Sequence, residues 1–294
     1  MRASRTQGGG HLQVHSPRPG SCRRLARAGA GLLLILACQV ARAAPPLRLC
    51  ALSHNLPYAE ETTSKGFDVD VAEVLATRLG RRLEVVWTDN GEGLHEIDES
   101  DFPVHKLARG ACDVLLSMPG PARDSLKDAP GLTLGKPYYG AGFELVGPAG
   151  LSPRLKDLRD KPVAIQAQTV ASFALVMLHG RQRTCFSPAE ALDSVQAGEA
   201  TAALVWGPTA GFALTRAARG GLTIAEGYTP PPALAWNLHV ATREKDQALR
   251  DEVDEALAGM QREGALVALA KPWGIPLHTP FATTYSLTEI NKLR

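Results

Sequence analysis

Residues 66–79 constrain the fold more than any other stretch of this chain. They read Gly66-Phe67-Asp68-Val69-Asp70-Val71-Ala72-Glu73-Val74-Leu75-Ala76-Thr77-Arg78-Leu79, followed by Gly80. Phe67, Val71, Val74, Leu75 and Leu79 share one face at helical spacing, which predicts an amphipathic helix. Asp68 and Asp70 fall in the first turn, where negative charge suits the helix dipole. Gly80 stands where a left-handed cap is expected. The strand-like run Leu47–Leu52 precedes this helix across a short polar loop. The unit is therefore strand, loop and acid-headed helix.

The same alternation continues along the chain. Strand patterns are expected at Leu83–Trp87, Asp113–Ser117, Gly142–Val146, Val163–Ile165, Thr201–Val205 and Thr223–Ala225, with an extended return at Ala235–Thr242. Helix patterns lie between them at 104–109, 170–178, 188–196 and 208–218. A helical tail follows, with Leu249, Val253, Leu257 and Met260 on one face. Pro188 sits in a first turn, where its missing N–H costs little. Strands alternating with helices predict α/β architecture with mainly parallel sheets.

The N-terminus reads as an export signal. Residues 1–43 carry seven arginines and no acidic residue, then the apolar run Leu32–Ala37, then Ala41-Arg42-Ala43. A basic region, a short apolar region and a small-x-small site predict cleavage near Ala43. Two rival readings stay open: a lipoprotein box ending at Cys38, and twin-arginine export through Arg23-Arg24. The whole chain has 32 basic and 30 acidic residues; removing seven leaves 25 against 30, a net charge of −5. Such a mature chain gives no reason to expect nucleic acid or an anionic membrane surface as partner. No second apolar run is long enough to span a membrane.

The Gly66–Leu79 stretch resembles the signature of bacterial extracellular solute-binding protein family 3: glycine, aromatic, acid, aliphatic, acid, aliphatic. That resemblance implies the type II periplasmic binding-protein fold. Its two lobes each hold a mainly parallel sheet flanked by helices, with a ligand cleft between them. The expected division is a signal peptide at 1–43, a first lobe from 44–146 with 233–294, and a second lobe at 147–232. In that fold the strands of Cys50 and Cys112 are neighbours, so a Cys50–Cys112 disulfide is expected in an oxidising compartment, with two buried free thiols as the alternative. Cys185 is left over.

Ligands in such folds bind beyond the carboxyl ends of the strands. This places Asn55, Tyr58, Ser117, Arg123, Tyr139, Gln168, Thr169, Trp206 and Gly207 at the expected cleft. Arg123 lies near the position at which amino-acid-binding members hold a ligand carboxylate, although its spacing looks shifted. The position of their ammonium-binding acid is occupied here by Trp206, so a standard α-amino acid is not the expected ligand. Trp206 offers an apolar wall or a cation–π face instead. The run Val205–Phe212, Cys50 and Cys112-Asp113 are similar to binding-protein-like accessory components of quinoprotein (PQQ-dependent) alcohol dehydrogenase systems, including methanol oxidation.

The resulting expectation is a monomeric, non-catalytic periplasmic protein that closes over a small organic ligand. It would serve either an ABC permease or a PQQ-dependent dehydrogenase. A periplasmic dehydratase of the arogenate or prephenate type is the alternative on the same fold, with Glu60, Glu61 and Asp113 as the nearby acids. No HExxH, phosphate loop, GxSxG elbow or cysteine–histidine metal spacing is present, so no cofactor is expected. The residues Glu92, His95, Glu96, Asp98, Glu99 and Asp101 suit either a solvated loop or a hard-cation site.

Overall fold

The computed structural model describes residues 44–90, 101–120, 130–177, 180–216 and 220–282. The proposed leader, Arg123 and most of the acidic 92–101 stretch lie outside them. The first half begins with β1 (Leu47–Leu52), the short pair β2 (His54–Asn55) and β3 (Ala59–Glu60), and helix α1 (Phe67–Arg78). Strand β4 (Leu83–Thr88), helix α2 (Pro103–Ala108) and β5 (Leu115–Pro119) follow. β1 pairs with β4 in parallel. The expected strand at Asp113 starts two residues late: Asp113 and Val114 donate their N–H groups to the Arg48 carbonyl, and Val114 makes a single parallel bridge to Leu49.

Strand β6 (Leu132–Pro148) is far longer than the predicted crossing strand at 142–146. The second half holds β7 (Pro162–Gln166), α3 (Val170–Met177), β8 (Arg181–Cys185), α4 (Pro188–Gln196), β9 (Ala202–Trp206), α5 (Gly207–Arg216) and β10 (Leu222–Ile224). Helix α4 is set by Ser187, whose hydroxyl accepts the Glu190 N–H at 3.1 Å while Glu190 reaches back to the Phe186 N–H. Strand β11 (Ala235–Arg243) then returns, followed by α6 (Gln247–Arg262) and α7 (Ala265–Ala270).

Among the described strands the parallel pairs are β1–β4, β7–β8 and β7–β9. The strands that run between the halves pair antiparallel: β11 with β5 and β6, and β6 with β9 and β10. One seven-stranded sheet, β5-β11-β6-β9-β7-β8 with β10 beside β6, therefore passes through both halves. Phe67, Leu75, Leu49, Tyr138 and Leu145 are fully buried in one continuous apolar cluster that includes β6 and α6. A second cluster around Val146, Leu192 and Val205 fills the other face of the second half.

Cys50 and Cys112 form a disulfide with Cα atoms 5.6 Å apart, and Cys185 is a buried free thiol. Beside the disulfide, Asp113 accepts bonds from the Arg48 guanidinium at 2.8 and 3.0 Å and from Arg243 at 3.1 Å. Among the described residues no helix is long and apolar enough to cross a membrane.

Candidate functional site

The position of α1 determines the site. Gly66 has φ of +149°, and a Cβ there would lie 2.1 Å from the Tyr58 carbonyl oxygen. Only glycine lets the first turn tuck beneath the Pro57–Tyr58 turn. The Phe67 and Asp68 N–H groups then donate to the Pro57 and Tyr58 carbonyls at 2.8 and 2.9 Å. The two acids of the motif take different roles. Asp70 accepts the Trp273 indole N–H at 2.9 Å. Asp68 turns towards the cleft, with 9% of its surface exposed.

The cleft has a volume of about 790 Å³ and is lined from both halves of the chain. β1 and the following loop supply Asn55 and Tyr58, α1 supplies Asp68, and β5 supplies Ser117 and Met118. Gln168, Thr169 and Trp206 face them from the second half, and Phe143 and Trp236 from the crossing strands. Ser117 and Gln168, on opposite sides, both have positive φ, 53° and 59°. A left-handed backbone is uncommon for such residues and clusters at ligand sites.

A chain of hydroxyls lies under the cleft. Ser117 donates to Asp68 Oδ1 at 2.6 Å, and its Oγ is 3.1 Å from the Tyr138 hydroxyl and 2.9 Å from that of Tyr139. Tyr58 accepts the Trp206 indole N–H at 2.8 Å. Trp206 is thus joined to the opposite side of the cleft. Burial pushes the Asp68 carboxyl up to about 7, against the opposing effect of the Ser117 hydrogen bond. Burial also holds the Tyr58, Tyr138 and Tyr139 hydroxyls far above their usual range.

The aromatic wall is a trio. Phe143, Trp206 and Trp236 have centroids 5.8, 5.8 and 6.1 Å apart, with ring planes at 63–68° to one another. Such edge-to-face packing is favourable beyond simple burial.

Of the nine sequence-derived residues, Asn55, Tyr58, Ser117, Gln168, Thr169 and Trp206 line this cleft. Tyr139 lies one layer below, fully buried. Gly207 begins α5 behind the wall, where a Cβ would meet Glu144 and Pro276. Arg123 lies outside the described residues. The acids named for a dehydratase are elsewhere: Asp113 is tied to two arginines, Glu61 accepts the Ser53 hydroxyl at 2.6 Å, and Glu60 bonds Thr62. Sequence reading missed Asp68, Phe143 and Trp236. The strand-end rule could have found Asp68 only with knowledge that α1 sits under Tyr58. Asp101 forms an ion pair with Arg109, and among the described residues no cluster of His, Cys, Asp and Glu is placed to hold a metal ion.

Solved structures share this architecture. MxaJ from Methlophaga aminisulfidivorans MPT is 24% identical, with 79% of this chain and 99% of that one covered at a TM-score of 0.57. Periplasmic binding protein XoxJ from Methylobacterium extorquens AM1 is 20% identical over 79% and 98%, at 0.55. The L-cystine solute receptor of Neisseria gonorrhoeae, in its unliganded open conformation, is 15% identical over 78% and 93%, at 0.63. No protein-family model and no curated protein sequence matches the chain. The chain has the two-lobed fold of periplasmic solute-binding proteins.

Proposed function

We propose that this protein is an exported, periplasmic solute-binding protein whose two lobes, 44–146 with 233–294 and 147–232, close over a small organic ligand without chemical turnover. The observation that carries this reading is the cleft itself: about 790 Å³, lined from both halves and spanned by the Trp206–Tyr58 hydrogen bond. Cavities of several hundred Å³ with apolar walls and a few placed polar groups are the usual form of small-molecule sites. Closure of lobes around such a cleft is a familiar hinge transition.

Between the two partners, the resemblance of the Val205–Phe212 run and of the cysteine pair favours a quinoprotein dehydrogenase over an ABC permease. The Cys50–Cys112 disulfide, an oxidising-compartment feature, fits export in either case. The dehydratase reading gains one group, because a cleft carboxyl raised to about 7 suits acid–base work. Arogenate and prephenate are acids, however, and no lysine or arginine lines the cleft among the described residues to hold their carboxylates.

The test is a thermal-shift screen of residues 44–294 followed by small-angle scattering with each hit. A ligand at 100 times its Kd adds about 2.7 kcal/mol of stability and should shrink the particle by closing the lobes. A hit consumed or transformed over hours would overturn the non-catalytic reading. Co-purification with a PQQ-dependent dehydrogenase, and not with a permease, would select the accessory role.

A further inference from the structure

We infer that the cleft takes an organic monocation, with its ammonium group seated against Asp68 and its apolar body against Trp206, Trp236 and Phe143. This deepens the solute-capture reading and rests on it.

Three observations converge on positive charge. Asp68 is nine-tenths buried and lines the cleft; its Oδ1 accepts the Ser117 hydroxyl, and Oδ2 has no hydrogen-bond partner among the described residues. A buried carboxylate without a counter-ion is costly, and an incoming cation relieves that cost. The groups facing Asp68 are the hydroxyls of Ser117, Tyr58, Tyr138 and Tyr139, all neutral. Among the described residues no basic side chain stands against it.

The opposite wall is aromatic, and the faces of tryptophan rings attract cations and repel anions. Among the described residues lining the cleft there is no lysine or arginine, and His105 is the one histidine. Among the described lining residues an anion would meet the Asp68 carboxyl, aromatic side chains and neutral polar groups such as Asn55, Gln168 and Thr169, and no lysine or arginine. A zwitterionic amino acid would bring a carboxylate that no lysine or arginine among the described lining residues receives. A cation meets complementary charge on both walls.

Binding should then be coupled to a proton. In the free protein the Asp68 carboxyl is raised to about 7 by burial, so near neutral pH part of the population is protonated. A bound ammonium stabilises the ionised form and expels that proton. Affinity should fall roughly tenfold per pH unit below this value and level off above it.

Calorimetry on the mature chain tests this with two sets of probes that share a body and differ in head group. One set is 2-phenylethylammonium, 2-phenylethanol, 3-phenylpropanoate and phenylalanine; the other is n-butylammonium, butan-1-ol, pentanoate and norleucine. In at least one set the amine should bind about tenfold tighter than its partners, a difference of about 1.4 kcal/mol. Its affinity should rise from pH 6 to 8, and its apparent enthalpy should differ between phosphate and Tris as the released proton is taken up. Asp68→Asn, checked for folding by circular dichroism, should lose both the preference and the pH dependence. Trp236→Leu should weaken the amine severalfold and keep the pH dependence.

An alcohol, carboxylate or zwitterion that binds as tightly as the amine overturns the inference and leaves solute capture standing. No binding in either set overturns both. Should Asp68→Asn fail to fold, an amine affinity that is flat from pH 6 to 8 in the unaltered protein is enough to reject the role of Asp68.

Discussion

Two carboxylates in the first half of the chain, Asp113 and Asp68, are both largely withdrawn from water and are treated in opposite ways. Asp113 is clamped by Arg48 and Arg243 beside the disulfide. Burial pushes its carboxyl up, but the hydrogen bonds from the two arginines outweigh it and hold it below the usual range. Among the described residues Asp68 receives one serine hydroxyl and no cation, and burial wins. The first acid completes its charge within the fold. The second keeps its charge incomplete, at a cost to stability, in the wall of a cleft.

The largest test of this contrast is at the disulfide that anchors the Asp113 region. Replacing Cys50 and Cys112 together by serine opens a 62-residue separation. Loss of that cross-link should cost about 4 kcal/mol by the chain-entropy account, read by urea denaturation. Asp113→Ala leaves the Arg243 guanidinium, 11% exposed, without one of its carboxylates, and should cost about 3 kcal/mol with cleft affinity unchanged. Asp68→Asn should do the reverse. At pH 8 it should raise stability by about 2 kcal/mol while ligand affinity falls. Trp206→Phe keeps a ring in the wall and loses the donor to Tyr58, a change of about 1 kcal/mol.

The two acids also separate in pH. Asp68 has its folded value raised above the unfolded value of about 3.9. Its contribution to stability is therefore complete below that value and is lost as pH rises through about 7. Asp113 has its folded value depressed, so its contribution is present above the unfolded value and is lost as pH falls through the depressed one. Denaturation curves from pH 4 to 8 should show a downward slope that Asp68→Asn removes. Asp113→Ala should leave that slope in place.

The sequence exposes these parts unequally. Helix α1 was legible because its apolar residues recur at 3.6-residue spacing and Gly80, at φ +64°, closes it. Trp206 and Ser117 were legible because they end strands, where α/β folds place ligands. Strand β8 was not, since Arg-Gln-Arg-Thr-Cys at a sheet edge keeps most of its side chains in partial contact with water and carries no apolar alternation. The length of β6 was hidden by Gly135, Pro137, Gly140 and Gly142, residues that argue against a strand in isolation. At Gly140 the reason is tertiary: a Cβ would lie 2.6 Å from the Phe281 ring. Asp68 read as a helix-dipole acid because its cleft neighbours, Ser117 and Tyr139, are 49 and 71 positions away.

The continuous sheet has a mechanical consequence. At Gly140, β6 is held on one edge by β11, where Asn237 is its partner, and on the other by His278, with which it exchanges N–H···O bonds of 2.8 and 3.1 Å. Next along the strand, Glu144 is 1% exposed and lies 2.6 Å from His278 Nε2. The joint is therefore a laminate of three bonded ribbons, and any rotation of one lobe against the other must be taken up as twist shared among them. Such a joint stores elastic work as it turns, and its amides should resist hydrogen exchange in the open and closed forms alike. Cutting the chain before Ile275 would remove one lamina and soften the joint while the walls of the cleft kept every residue they have.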